Sequence, residues 1–170
     1  MVPNLFRGAR KRSAHGWRSL KEMNKARELV RIARDIASET QDFHRVKGPG
    51  HGDRASCVFM NELRRRAIKQ FGTDYSEKQI SGDIKSAVDF FIPEEKTVIE
   101  IALTLKNPLS EFHKDIFKAL LAIDNGKDIQ QLVFVCKPGG RKRHQEPASQ
   151  AIMRWLKDKY RIEVTIEEID

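Results

Sequence analysis

Two acidic residues stand inside otherwise apolar strands, and this constrains the fold more than any other feature. They lie in SAVDFFIPEEKTVIEIALTLK, from Ser86 to Lys106. Asp89 is flanked by Val88 and Phe90, and Glu100 by Ile99 and Ile101. The apolar runs on either side of Pro93-Glu94-Glu95 predict two strands, Ala87 to Ile92 and Thr97 to Leu105, paired as a hairpin. A carboxylate in a buried strand is costly unless it is paired or bound to a cation. Adjacent strands of a hairpin bring two such acids together, and two carboxylates in a low-dielectric cleft repel each other. A divalent cation resolves that conflict, and all-oxygen ligation favours Mg²⁺ or Mn²⁺ over zinc. The alternative is an exposed strand face, or pairing with Lys85, Lys96 or Lys106.

The rest of the chain fits around this hairpin. A helix is expected over Leu20 to Ser38, where Leu29, Ile32, Ala33 and Ile36 recur at helical spacing. The Gly/Pro-rich segment Val46 to Arg54 reads as a linker, and no Gly-Lys-Ser/Thr follows it to make a P-loop. Ala55 to Phe71 is expected to be helical with an apolar stripe of Val58, Phe59, Leu63 and Ala67, stopped at Gly72. Gln79 to Ile84 is a weak strand. After the hairpin, Asn107 caps a helix that starts at Pro108 and runs to about Asp124. Leu132 to Cys136 is a buried strand. Lys137 to Pro147 is a loop, Pro147 to Tyr160 a helix, and Ile162 to Ile166 a last strand. An early meander followed by strands alternating with helices predicts an α/β fold, a mixed sheet with helices on both faces. Residues 1–50 (arm, helix and linker) are expected to precede an α/β domain over 51–170.

That order, helix, three meandering strands, helix, strand, resembles the core of the PD-(D/E)XK nuclease superfamily, the restriction endonuclease-like fold. The likeness covers Ala55 to Cys136, about half of the chain. In the family motif an acid on one strand is followed by Asp/Glu-x-Lys on the next. Asp89 matches the first acid and Glu100 the second. The position of the motif lysine is held by Ala102, and Val88 stands where Pro is common. The resemblance implies a metal-dependent endonuclease that hydrolyses phosphodiester bonds in DNA. Asp89, Glu100, the carbonyl of Ile101 and Glu62 on the preceding helix would hold Mg²⁺ or Mn²⁺. Glu62 could equally pair with Arg65 or Arg66. Because some family members recruit their lysine from another element, Lys106, Lys78, Lys85 and Lys114 are candidates to replace Ala102. We favour Lys114, on the helix after the hairpin, and count Asp89, Glu100 and Lys114 as the expected catalytic set. A decayed site on a nucleic-acid-binding protein is the competing expectation, because alanine can do none of the lysine's chemistry.

Charge supports a polyanionic partner. The 170 residues carry a formal net charge of +8 and a pI near 9.6, which favours phosphate neutralisation and counterion release. The first twenty residues hold Arg7, Arg10, Lys11, Arg12 and Arg18 and no acid, as a basic arm or a solubilising tail would. KPGGRKRH places Lys137, Arg141, Lys142 and Arg143 in a Gly-rich loop at the carboxyl end of a strand, where α/β sites commonly lie. These residues are expected to contact DNA. Two cysteines, Cys57 and Cys136, without CxxC spacing speak against a disulfide framework or a cysteine zinc site. With no apolar leader and no membrane-length run, a cytoplasmic protein is expected, and a homodimer would suit cleavage of both strands.

Overall fold

Asn24 decides where the first helix begins. Its side-chain oxygen accepts the N–H of Arg27 at 2.8 Å, and the Glu95 carboxylate accepts the N–H of Ala26 at 3.0 Å. Both satisfy donors that a helix start leaves unpaired. In the computed structural model, which describes residues 24–40, 51–82, 87–103 and 108–169, helix α1 therefore spans Lys25–Glu39 and α2 spans His51–Phe71. Short strand β1 (Ser76–Lys78) leads to β2 (Val88–Ile92) and β3 (Thr97–Ala102), then α3 (Pro108–Asp124) and β4 (Gln131–Cys136). A one-turn helix α4 (Gly140–Arg143), α5 (Pro147–Tyr160) and β5 (Glu163–Glu168) complete the chain.

The five strands form one mixed sheet in the order β1-β2-β3-β4-β5. β1, β2 and β3 run antiparallel, and β3, β4 and β5 run parallel. The hairpin turn is a single 3₁₀ turn over Pro93–Glu95, closed by Lys96 in the left-handed region at φ 52°. Both parallel connections carry a helix, as parallel strands require. The expected mixed α/β sheet with helices on both faces is what forms.

Alternate residues of each central strand feed two cores. On one face α1 and α2 bury Leu29, Ile36 and Leu63 against Phe90, Ile99 and Val133. On the other, Phe112, Ile116 and Ala119 of α3 and Leu156 of α5 pack on Val98, Leu132 and Phe134. Helix α1 thus shares a core with the segment after residue 50. Several boundaries moved, and α2 begins at His51, inside the segment expected as a linker. The weak strand expected at Gln79 to Ile84 is replaced by β1 at Ser76–Lys78, whose register is set by Phe90 and Val88 opposite Ser76 and Lys78. Gly82, at φ +71°, turns the chain inside the expected strand. The loop after β4 contains α4. Of the DNA-contact residues expected in the N-terminal arm, Arg7, Arg10, Lys11 and Arg12 lie outside the described residues.

Candidate functional site

The hairpin ladder ends one pair short of the acids. β2 and β3 pair from Ile92↔Thr97 to Phe90↔Ile99 and no further. Beyond that point the Asp89 carboxylate takes over the ladder's role: its Oδ2 accepts the N–H of Ile101 at 2.7 Å. In return Glu100 Oε2 accepts the N–H of Asp89 at 3.3 Å. The two acids thereby bracket the opening between the strands. Neighbouring N–H and C=O groups of a strand residue point to the same side, so the carbonyl of Ile101 faces this opening too.

Glu100 is 2% exposed and lies under α3. There it meets a cation that the sequence reading missed. Lys118 Nζ lies 2.9 Å from Glu100 Oε1 and 2.8 Å from Asp115 Oδ1, and it donates to the carbonyl of Ala87 at 3.1 Å. Asp115 and Lys118 are themselves only 7% exposed. Their approach to Glu100 leaves Oε1 without a hydrogen bond of good angle, although the charges touch. Both residues sit on the core side of α3, Asp115 three residues after Phe112 and Lys118 three after Asp115. A charged pair on the buried stripe of a helix is the signal that could have revealed them.

The electrostatics follow from three carboxyl groups and one ammonium in a dry site. Burial pushes the Glu100 carboxyl up to about 9, helped by repulsion from Asp115 and Asp89 and opposed by Lys118. Asp89 is raised by burial, against the Ile101 N–H bond, Lys118 and Glu100. Burial raises Asp115 as well. Burial alone would lower Lys118, yet Glu100 and Asp115 outweigh it and hold its pKa above the usual value. The cluster is short of positive charge.

The other expected site residues fall elsewhere. Lys114 is half exposed and pairs with Glu111 at 2.5 Å, one turn before Lys118 and on the outer side of α3. Both oxygens of Glu62 are held by Arg65 and Arg66, which keep its carboxyl near 2, and Arg66 continues to Glu39 of α1. That network faces the α1–α2 seam, across the sheet from Glu100. The member of α2 that acts on Asp89 is Arg64, whose charge helps to lower it. Lys78 is half-buried on β1.

In the loop after β4, the Arg141 guanidinium donates to the carbonyl of Ile166 at 2.9 Å, and its N–H to Glu168 Oε1 at 2.9 Å. It covers the free edge of β5, a common way of blunting an edge strand. Lys142 and Arg143 are exposed, and burial lowers the pKa of Lys137. His144 is buried between Phe112 (ring centroids 4.7 Å apart) and Phe134 (6.1 Å), with its pKa lowered by burial.

Among the described residues no three His, Cys, Asp or Glu side chains gather as a metal cluster. The donors at the strand opening are two carboxylates and one main-chain carbonyl, all oxygen, with Glu100 Oε1 short of a hydrogen bond. That set suits a hard divalent cation. Compared with known proteins, the chain matches no family model, no curated protein and no solved structure. No helix among the described residues is long and apolar enough to cross a membrane.

Proposed function

We propose that the protein is a metal-dependent endonuclease of the restriction endonuclease-like class acting on DNA, with Lys118 in the role of the lysine missing at Ala102. The observation that carries this reading is the buried contact of Lys118 Nζ with Glu100 Oε1 at 2.9 Å. A lysine there stands beside the second acid, as the motif lysine would, but arrives from α3. It replaces Lys114 in the expected catalytic set.

In this reading Asp89, Glu100 and the Ile101 carbonyl would hold Mg²⁺ or Mn²⁺, and Glu62 is not required. The bound cation would polarise the scissile phosphate and lower the pKa of a water molecule. Asp89 and Glu100 must be ionised to bind it. Asp115 keeps Lys118 charged and fixes its direction. Lys118 then stabilises charge that builds on the phosphate oxygens. Water attacks phosphorus, the bond to the leaving oxygen breaks, and the water's proton passes to solvent or to that oxygen. A second copy of the chain would supply the cut in the other strand of a duplex.

One observation favours a second reading, a nucleic-acid-binding protein whose acids do no chemistry. Lys118 already neutralises part of the cluster, so the site can persist as a buried ion network. Incubating purified protein with plasmid and single-stranded DNA in Mg²⁺, Mn²⁺ or EDTA, beside Glu100→Ala, separates the two. Metal-dependent nicking that the variant loses supports the nuclease. Binding without cleavage supports the second reading.

A further inference from the structure

A cavity of about 370 Å³ lies between α4, α5 and β5, and its chemistry is that of an anion site. One face of α5 turns into it at helical spacing: Gln150, Arg154 and Lys157, with Met153 among them. Arg141 and His144 from the α4 turn and Ile166 of β5 also line it.

Three observations point to a ligand. First, the side chains of Arg154 and Lys157 hold no ion pair or hydrogen bond among the described residues, whereas those of Arg31, Arg34, Arg64, Arg65 and Arg66 all have carboxylate partners. Second, His144 is 4% exposed and its Nδ1 has no hydrogen-bond partner. Third, the cavity shares a row of the sheet with the acid. Glu100 is in register with Phe134, and Phe134 with Ile166. Two strand spacings of about 4.8 Å put Ile166 of the lining roughly 10 Å from Glu100. A nucleic-acid strand covers that distance in about three nucleotides at 3.4 Å per nucleotide.

We propose that this cavity is a phosphate-binding subsite for the DNA strand, with Arg154 and Lys157 as its phosphate contacts a few nucleotides from the acidic site. Arg141 keeps its guanidinium on β5 and contributes charge at the rim. The single carboxylate of the lining, Glu163, begins β5, whereas Arg141 of α4 meets the later residues Ile166 and Glu168. Gln150 adds a side-chain amide that can donate to a phosphate oxygen, although its Nε2 now donates to the His144 carbonyl at 3.1 Å. This subsite rests on the DNA reading above, but not on catalysis.

The test is fluorescence anisotropy with a labelled 12-nucleotide single strand and a 12-base-pair duplex, in EDTA so that no cleavage occurs, over a salt series. The wild-type chain is compared with Arg154→Gln/Lys157→Gln and with a control of equal charge loss, Lys127→Gln/Lys159→Gln. All four positions are exposed, so thermal melts should be unchanged. The subsite variant is expected to bind about tenfold more weakly, and the slope of log K against log salt should shrink by about 2, one for each lost phosphate contact. The control should keep the wild-type slope. Equal losses in both variants, or none in either, would overturn the subsite. Inorganic pyrophosphate is titrated separately: competition with DNA at the wild-type chain supports the assignment. Pyrophosphate binding lost in the subsite variant while DNA binding is kept would assign the cavity to a free anion instead. Intact binding without cleavage in Mg²⁺ would count against the nuclease and leave the subsite standing.

Discussion

Lys118 Nζ sits 2.9 Å from Glu100 Oε1 and 2.8 Å from Asp115 Oδ1, so one buried ammonium is shared by two carboxyl groups from different elements. Asp89 adds a third acid at the same opening through its bond to the Ile101 N–H. The sheet provides Asp89 and Glu100, and α3 provides Asp115 and the cation.

Removing one partner of such a group should be costly, because it strips buried polar atoms of a contact that no water can replace. Lys118→Met is expected to lower unfolding free energy by about 3 kcal/mol, and Glu100→Gln added to it should recover most of that loss. Urea denaturation of the two single variants and the double variant measures this. Purely additive losses would show that the two side chains do not interact.

The raised Glu100 pKa gives a pH dependence of defined sign. Between its unfolded value of 4.5 and its folded value near 9, the native state holds a proton that the unfolded chain has released. Stability from this group is therefore full below about pH 4.5 and is lost as pH rises toward 9, at up to about 1.4 kcal/mol per unit. Wild type should fall relative to Glu100→Gln across this window, read by denaturation at pH 5, 6, 7, 8 and 9. A constant difference would contradict the assignment.

A divalent cation should reverse that loss. Mg²⁺ or Mn²⁺ binds the ionised acids of the native state only, so it should raise the melting temperature more at pH 8 than at pH 6. Asp89→Asn should abolish the shift while costing less than about 1 kcal/mol, because the amide oxygen can still accept the Ile101 N–H. Calorimetric melts with and without metal provide the readout.

Arg141 holds the edge of β5 by donating to the Ile166 carbonyl. Arg141→Gln should cost about 1 kcal/mol and increase self-association, since it uncovers an edge carbonyl. Light scattering alongside denaturation checks both effects.

The hairpin was legible because both strands are largely apolar runs around a proline turn, and α5 because Pro147 starts it. The burial of Glu100 followed from its neighbours. β1 was not legible. Only three residues pair, and β2 imposes their register rather than any apolar alternation of their own. The cation of the site was misplaced by one helical turn. Lys114 and Lys118 look alike in sequence, and what separates them is which carboxylate each meets: Glu111 on the surface, or Asp115 and Glu100 in the core. Arg141 read as a phosphate contact because loop arginines often are; the unpaired carbonyl of an edge strand claimed it. The roles of Arg154 and Lys157 depend on which wall of α5 faces β5, which spacing alone does not give.

The central claim is that Asp89, Glu100 and Lys118 form one metal-dependent hydrolytic site. The most direct measurement is nicking of supercoiled plasmid and of single-stranded DNA in Mg²⁺, Mn²⁺ and EDTA by wild type, Glu100→Ala, Lys118→Met and Lys114→Met. Nicking that needs metal, is lost in the first two variants by at least about a hundredfold and survives in Lys114→Met is the predicted result. Cleavage that survives Glu100→Ala, or that fails in Lys114→Met while Lys118→Met stays active, would contradict the account.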